Sequence, residues 1–521
     1  MIALQTSSVT SVVPAIAIAL PLLGSLLGLP PVHHYISERV RVGILIALCT
    51  GTLGLAVSLI PGALNGTVYE IYLFRLTSTA WMQLRVDALG VLFGVTAALL
   101  WLLALVYSAG YMADDEKLGR YWLFFMICLG WTMGVAYAGN LLTFLVFYEL
   151  FSVMTYPLVI HEETPAARAA ALKYIIYILI GGSLVLLGVV GTFFLSGELA
   201  LTAGGILSAD LDRNVLIIVF WCFMAGFGVK AALFPLHGWV PDAHPAAPAP
   251  FSAVLSGIMV AAGTFGIARV LFFVFGVELL EELGATQVLA GVAAFTVLFA
   301  AVLAVNQDNL KRRLAYSTIS QMGYVTLGFA LLGEQALVGS LVHIANHAFM
   351  KGCLFLCAGL LIKRAGIHNV SEMAGVARRM PLTMAAFALA ALGMIGTPPL
   401  SGFVSKWYLG LGMLEVDEPY YLIVLLGGAL LAAVYLLPIV YIAYFRTPAA
   451  DTGSSEAEAI ADDSERPGRP DGTPAPRREG PASMLVPTVV AAALTIVLGV
   501  AASVPGLPLS LAQKAAEAIF H

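Results

Sequence analysis

The sequence predicts an all-α polytopic membrane protein, and three observations carry that prediction. The 521 residues are 60% hydrophobic and 11% charged, against about 25% charge in soluble domains. Mean hydropathy is +0.92. Apolar runs of about 20 residues, the length that crosses a bilayer as a helix, recur along the whole chain.

About fourteen such runs are expected as spans. They fall at 12–30, 43–61, 88–111, 121–138, 141–160, 169–196, 214–235, 250–275, 286–305, 313–333, 337–362, 382–413, 420–445 and 485–504. Strand-type alternation is expected to be absent, so a β-barrel is not expected. The N-terminus lacks a basic region and a clear cleavage site, so the first run is expected to remain as a span.

Charge placement tests this threading. With both termini outside, seventeen of the 26 Lys and Arg fall in inner loops or their edges, four in outer loops and five within spans. That is the positive-inside bias of a plasma-membrane protein with an even number of spans. The segment 447–483 is rich in Pro, Gly, Ser and charge. It is expected as a disordered cytoplasmic loop that tethers the last span.

Composition also excludes classes. A net charge of -5 argues against a nucleic-acid partner. The nine histidines show no zinc-type spacing. Cys49, Cys128, Cys222, Cys353 and Cys357 all sit in apolar runs and lack the ligand set of an iron–sulfur cluster. No GxGxxG fingerprint occurs on a strand–helix unit. No cofactor, metal or redox site is expected.

Against this apolar background the charged residues inside spans stand out. Lys230 lies in the run VLIIVFWCFMAGFGVKAALF at 215–234, which is followed directly by the broken stretch PLHGWVPDAHPAAPAP at 235–250. Lys406 follows a second break, GTPPLSGFVSK at 396–406. A lysine at the centre of a membrane helix costs about 2.5–3.5 kcal/mol on insertion scales. Lysines beside Gly/Pro breaks mark ion paths in transporters. Glu149 is the carboxylate deepest in a span, and Lys230 is its expected partner. Burial eases deprotonation of an amine and a nearby carboxylate opposes it, so moving the partner would load or unload the proton. A static ion pair locking two helices is the alternative.

His343, His347 and Lys351 recur at i, i+4 and i+8 in LVHIANHAFMKGCLFL. That spacing gives one helix face with about 6 Å per step. The stripe suits a hydrated proton relay or, alternatively, interhelical hydrogen bonds. Lys173 and Arg269 lie near span ends and are expected to snorkel to the interface. Asp87 and Asp308 lie at span ends within reach of water. His237, Asp242 and His244 lie in the first break, either guiding protons or simply solvated.

Five phrases then give a resemblance: FYEL at 147–150, VKAALFPLHGWVPDAHPAAP at 229–248, NLKRRLAYSTISQMGY at 309–324, HAFMKGCLF at 347–355 and PPLSGFVSKW at 398–407. The chain resembles the antiporter-like subunits shared by Mrp-type cation/proton antiporters, respiratory complex I and membrane-bound hydrogenases. Its length and the run MPLTMAAFALAALGMIGTPPLSGFVSKWYL resemble the D-subunit group of Mrp-type antiporters.

The resemblance implies two inverted five-helix repeats with broken seventh and twelfth helices. The implied organisation is 1–120 for helices 1–3, 121–275 and 276–446 for the two repeats, 447–483 for the loop and 484–521 for the last helix and C-terminus. It implies proton-handling roles for Glu149, Lys230, His343, His347, Lys351 and Lys406. Many relatives carry a lysine in the eighth span where this chain has Ala261. The implied central transfer therefore runs through waters, Thr264 or the histidines. The expected function is a proton- and cation-translocating subunit of a multi-subunit Na+/H+ antiporter in a bacterial or archaeal plasma membrane, itself not an enzyme. Its expected partners are other subunits, lipid, protons and Na+ or another monovalent cation. The alternatives are a proton-pumping subunit of a quinone- or hydrogenase-linked complex and a non-conducting scaffold.

Overall fold

A computed structural model describes residues 8–33, 35–75, 81–447 and 479–521. The loop expected at 447–483 falls almost wholly outside the described residues. Each of the fourteen expected segments coincides with helix. Among the described residues eleven helices are long and apolar enough to cross a membrane, and Val13–Gly28 and Pro381–Ile395 are shorter apolar helices.

The helices in chain order are α1 (Val13–Ser25), α2 (Glu38–Ser58), α3 (Ala88–Tyr111), α4 (Leu118–Tyr137), α5 (Leu141–Met154), α6 (Pro165–Ser196) and α7 (Arg213–Ala231). A short α8 (Val240–Ala246) follows the first break. Then come α9 (Ala249–Phe275), α10 (Ala285–Val305), α11 (Leu310–Ala330) and α12 (Glu334–Ala365). The second broken helix is α13 (Pro381–Ile395) and α14 (Ser401–Glu415), followed by α15 (Tyr421–Phe445), α16 (Ala482–Val500) and a terminal α17 (Pro508–Phe520).

Polar residues at the helix starts explain the boundaries. The side chains of Asp87, Asn140, Thr164, Asp212 and Asn309 accept hydrogen bonds from backbone N–H groups in the first turns of α3, α5, α6, α7 and α11. These are N-caps, which satisfy donors that a helix leaves open. Gly197 and Gly366 end α6 and α12 in the left-handed conformation. The interior of the bundle is α9 and α12, whose apolar windows are completely buried, whereas α2 is only 28% buried. An outer helix that is apolar all round needs lipid to cover it.

Both breaks are present. α7 ends at Ala231, the chain passes Ala232 at φ 60°, and Phe234–Pro235 is cis. α13 ends at Gly396 at φ 99°, and Pro398–Pro399 is cis. The two lysines sit differently on them. Lys230 lies in the last turn before its break, whereas Lys406 lies in the second turn after its own.

The structure corrects one expectation. A three-stranded sheet exists, with β1 (Ser8–Thr10) parallel to β2 (Val68–Arg75), and β2 antiparallel to β3 (Trp81–Val86). The alternation in WMQLRV spans six residues, too short to stand out between apolar runs. The sheet lies at the end of the bundle where α3 and α5 begin, since Asn140 Nδ2 donates to Trp81 O at 2.9 Å. The opposite end carries Lys117, Arg120, Lys311, Arg312, Lys363 and Arg364, and is the basic end.

Candidate functional site

The first cluster surrounds Lys230, which is fully buried. Its ammonium donates to Ser152 Oγ and to Tyr174 Oη, each at 3.2 Å. It also lies 4.3 Å from the centroid of the Phe151 ring, a cation–π arrangement. The hydroxyls are held in place, because Tyr174 donates to Ser152 O at 2.8 Å and Ser152 donates to Tyr148 O at 2.6 Å.

Glu149 is close by, one turn before Ser152 on α5, but forms no ion pair with Lys230 within 4.0 Å. Its Oε1 is buried without a hydrogen-bond partner. The carboxylate packs on Gly182 of α6, where an added Cβ would fall 2.2 Å from Oε1. The expected partners therefore form no ion pair, although Glu149 lies one turn from the hydroxyl that holds Lys230. Neutral hydroxyls hold the lysine, and the missing side chain of Gly182 makes room for the carboxylate.

Lys173 keeps a part-exposed side chain near the start of α6, and its Nζ lies 2.8 Å from Asp242 Oδ2. One expectation for the surroundings is corrected. Arg269 does not snorkel: it is 3% exposed, and its guanidinium grips Asp87 through two nitrogens, one at 2.8 Å. Asp87 is thus committed to an ion pair at a span end, where its side chain stays 24% exposed. Residues 182 apart in sequence meet only once α3 and α9 pack together.

The second cluster lies on α12. His343, His347 and Lys351 are fully buried on one face, as the spacing predicts. The rings of His343 and His347 are 6.2 Å apart. His343 is fixed by Ser405 at 2.8 Å and by Gln321 at 2.9 Å. His347 has no hydrogen-bond partner on either ring nitrogen. Lys351 donates to Ser317 Oγ of α11. Lys406 donates to the carbonyls of Met394 and Ile395, each at 2.8 Å, which are the open carbonyls at the end of α13. Its amine also lies 5.3 Å from the Tyr324 ring. That ring is 6.1 Å from His343. Lys406, Tyr324, His343, His347 and Lys351 therefore form a consecutive row.

α9 separates the two clusters and carries Ala261, fully buried. It touches both sides. A Cβ on Gly263 would lie 2.3 Å from Ala231 N, beside Lys230, and one on Gly257 would lie 3.1 Å from Ala348 O, beside His347. Thr264 does not reach across, since its hydroxyl donates to Ala261 O in its own helix. His244 at the end of α8 is fully buried rather than solvated. It stacks on Phe355 of α12 at 5.0 Å with both ring nitrogens unpartnered. His237 is half-buried.

Asp242 faces an open cavity of about 580 Å3 at the basic end, lined also by Glu162, Thr164, Lys173, Asn309 and Arg312. Sequence reasoning missed Ser152, Tyr174, Ser317 and Gln321, because neutral polar residues on helices carry no signal until the helices are packed. No group of three or more His, Cys, Asp or Glu that could hold a metal occurs among the described residues.

Comparison with known proteins places this geometry in a family. A profile described as "NADH:quinone oxidoreductase/Mrp antiporter, TM" matches residues 138–432, and one described as "NADH-Ubiquinone oxidoreductase (complex I), chain 5 N-terminus" matches residues 77–122. The chain is 36% identical over 459 residues to NADH-quinone oxidoreductase subunit N of Desulforudis audaxviator, covering 87% of this chain and 88% of that one. It is 33% identical to hydrogenase-4 component B of Escherichia coli, over 63% of this chain and 50% of that longer one.

Among solved structures, a chain of the membrane-bound sulfane sulfur reductase, an archaeal respiratory membrane complex, superposes with a TM-score of 0.83 at 25% identity, covering 98% of both chains. A chain of the Mrp complex from Dietzia sp. gives 0.83 at 23% identity, covering 98% of this chain and 100% of that one, and shows the shared fold. The chain belongs to the NADH:quinone oxidoreductase/Mrp antiporter family of transmembrane proteins.

Proposed function

We propose that this chain carries protons across the membrane as one subunit of a larger assembly. The observation that supports the reading is the set of buried basic side chains at the level of the helix breaks: Lys230 in one repeat, and Lys351, His347, His343 and Lys406 in the other. Such groups are costly in a bilayer and recur where they conduct. Glu149 biases the protonation of Lys230 from its place beside Gly182. Water exchanges protons between the clusters at the unpartnered ring nitrogens of His244 and His347. The positive-inside distribution supports a cytoplasmic basic end, and on this reading the open cavity at Asp242 is the entry mouth.

Two assemblies fit a subunit of this kind. One is a multi-subunit Na+/H+ antiporter, which the D-group resemblance and the likeness to a Mrp chain support. The other is a redox-driven complex, which the likeness to NADH-quinone oxidoreductase subunit N supports at least as well. In both, chemistry other than ion transfer falls to partner subunits. The test is His347→Ala in inverted membrane vesicles containing the whole assembly, with ΔpH followed by a quenched fluorescent amine. Loss of ΔpH with normal assembly is expected, and an unchanged signal would sink the relay. Driving the same vesicles with a Na+ gradient or with a respiratory electron donor separates the two assemblies.

A further inference from the structure

Lys311, Arg312 and Arg313 form a basic triplet at the start of α11, where positive charge is expected to orient the chain. Its side chains do something else. Lys311, 6% exposed, donates to the carbonyls of Pro245 at 3.3 Å and Ala247 at 2.5 Å. Arg312 donates through Nε to Pro241 O at 3.2 Å and through Nη2 to Asp242 Oδ1. Both residues belong to α11 in the second repeat. All four acceptors belong to α8 or the residue after it, in the first repeat. Arg313 faces the other way, donating to Gln307 O at 2.6 Å and Tyr435 O at 3.1 Å, and so anchors the start of α11 to α15.

The grip is specific. A seven-residue helix cannot stand on its own, and its last carbonyls have no partner within the helix. Lys311 supplies one there, as basic groups do at helix C-termini. Asp242 is shared between Arg312 of α11 and Lys173 of α6, so one carboxylate ties α8 to both repeats.

The other end of the connection is the relay. Two turns along α11 from the triplet, Ser317 accepts from Lys351, and Gln321 bonds His343. Thr318 on the same helix bonds Ser256 of α9 at 2.6 Å. One helix therefore holds α8, the segment after the first break, at its start and the relay's partners in its middle.

We propose that Lys311 and Arg312 are positioning residues. They make α8 and α11 move as one body, so that a shift of the broken helix near Lys230 changes the Ser317–Lys351 and Gln321–His343 contacts. This rests on the proton-transfer reading above. It adds that the two clusters are linked mechanically as well as through water.

The test is a double-mutant cycle between Arg312→Gln and Ser317→Ala, with ΔpH formation measured in vesicles of the whole assembly and normalised to chain in the membrane. Residues that act through one element give non-additive losses, whereas independent ones multiply. Each single variant is expected to lower flux on the order of tenfold, and the double variant no more than either alone. A product of the two losses, on the order of a hundredfold, overturns the coupling.

Should Arg312→Gln fail to accumulate, Arg312→Lys replaces it in the cycle, because it keeps the charge and loses the two-pronged grip. Lys230→Ala is run in parallel. Its loss of flux together with multiplicative losses in the cycle overturns the coupling alone. Full flux through Lys230→Ala overturns the transfer reading and the coupling with it.

Discussion

Lys230 is held by Ser152 at 3.2 Å, not by Glu149 one turn away on the same neighbouring helix. A lysine with a carboxylate in contact would be locked as a charged pair, and separating such a pair in an apolar interior is costly. Hydroxyls bind the ammonium and can equally donate to the free amine. The arrangement thus tolerates both protonation states, with Glu149 near enough to bias them.

Ser152→Ala should therefore slow transfer rather than abolish it. The variant removes one of two hydroxyl acceptors, and a hydrogen bond to a charged group is worth about 1.5–3 kcal/mol. Proton flux in vesicles checks this. Flux equal to that of the parent would show that the hydroxyl is a bystander.

Gly182→Ala tests the seat of the carboxylate. A methyl there meets Glu149 Oε1 at 2.2 Å, so the carboxylate must move. The expected result is the phenotype of Glu149→Gln, with flux reduced and the chain still assembled. If Glu149→Gln impairs flux and Gly182→Ala does not, the carboxylate works from some other position.

Gly263→Ala tests the close approach of α9 and α7. The new Cβ would strike Ala231 N at 2.3 Å and Phe227 O at 2.8 Å. These are backbone atoms that cannot rotate away. Overpacking of this kind costs about 1–3 kcal/mol. Thermal denaturation of the detergent-purified assembly should show a lower Tm, whereas Gly54→Ala, which meets nothing within 4 Å, should leave it unchanged.

A pH prediction concerns the basic end. Glu163, outside the spans, accepts from Arg120 and Lys117, and these hydrogen bonds pull its carboxyl down to about 2. With the folded value below the unfolded one, the contribution is present above about pH 4.5 and fades only as the pH falls toward 2. Nothing in this loop titrates through Glu163 between pH 6 and 8. Flux-versus-pH profiles of Glu163→Gln and the parent should superpose in that range, and a displaced profile would contradict this account of the loop.

Much of the fold was legible because lipid imposes a simple pattern. Long apolar runs became helices, and the GTPP and FPLHGWVP segments became breaks. Lys230, Lys351 and Lys406 were legible for the same reason, each being a charge on an apolar background. What was not legible depends on contacts across the bundle. Asp87 and Arg269 look like two span-end charges until α3 and α9 meet. Lys311 and Arg312 look like loop cations until α8 folds against α11. Ser152 and Tyr174 are ordinary helix residues until Lys230 arrives between them. The sheet escaped because its strands are short and lie beside much stronger helical signals.

The central claim is that Lys230 exchanges protons rather than merely tying helices together. Its most direct test compares Lys230→Ala with Lys230→Arg for ΔpH formation in inverted vesicles containing the intact assembly. Arginine keeps the charge but does not release its proton. The account predicts that both variants assemble and both lose flux. Full flux in Lys230→Arg, or in Lys230→Ala, would contradict it.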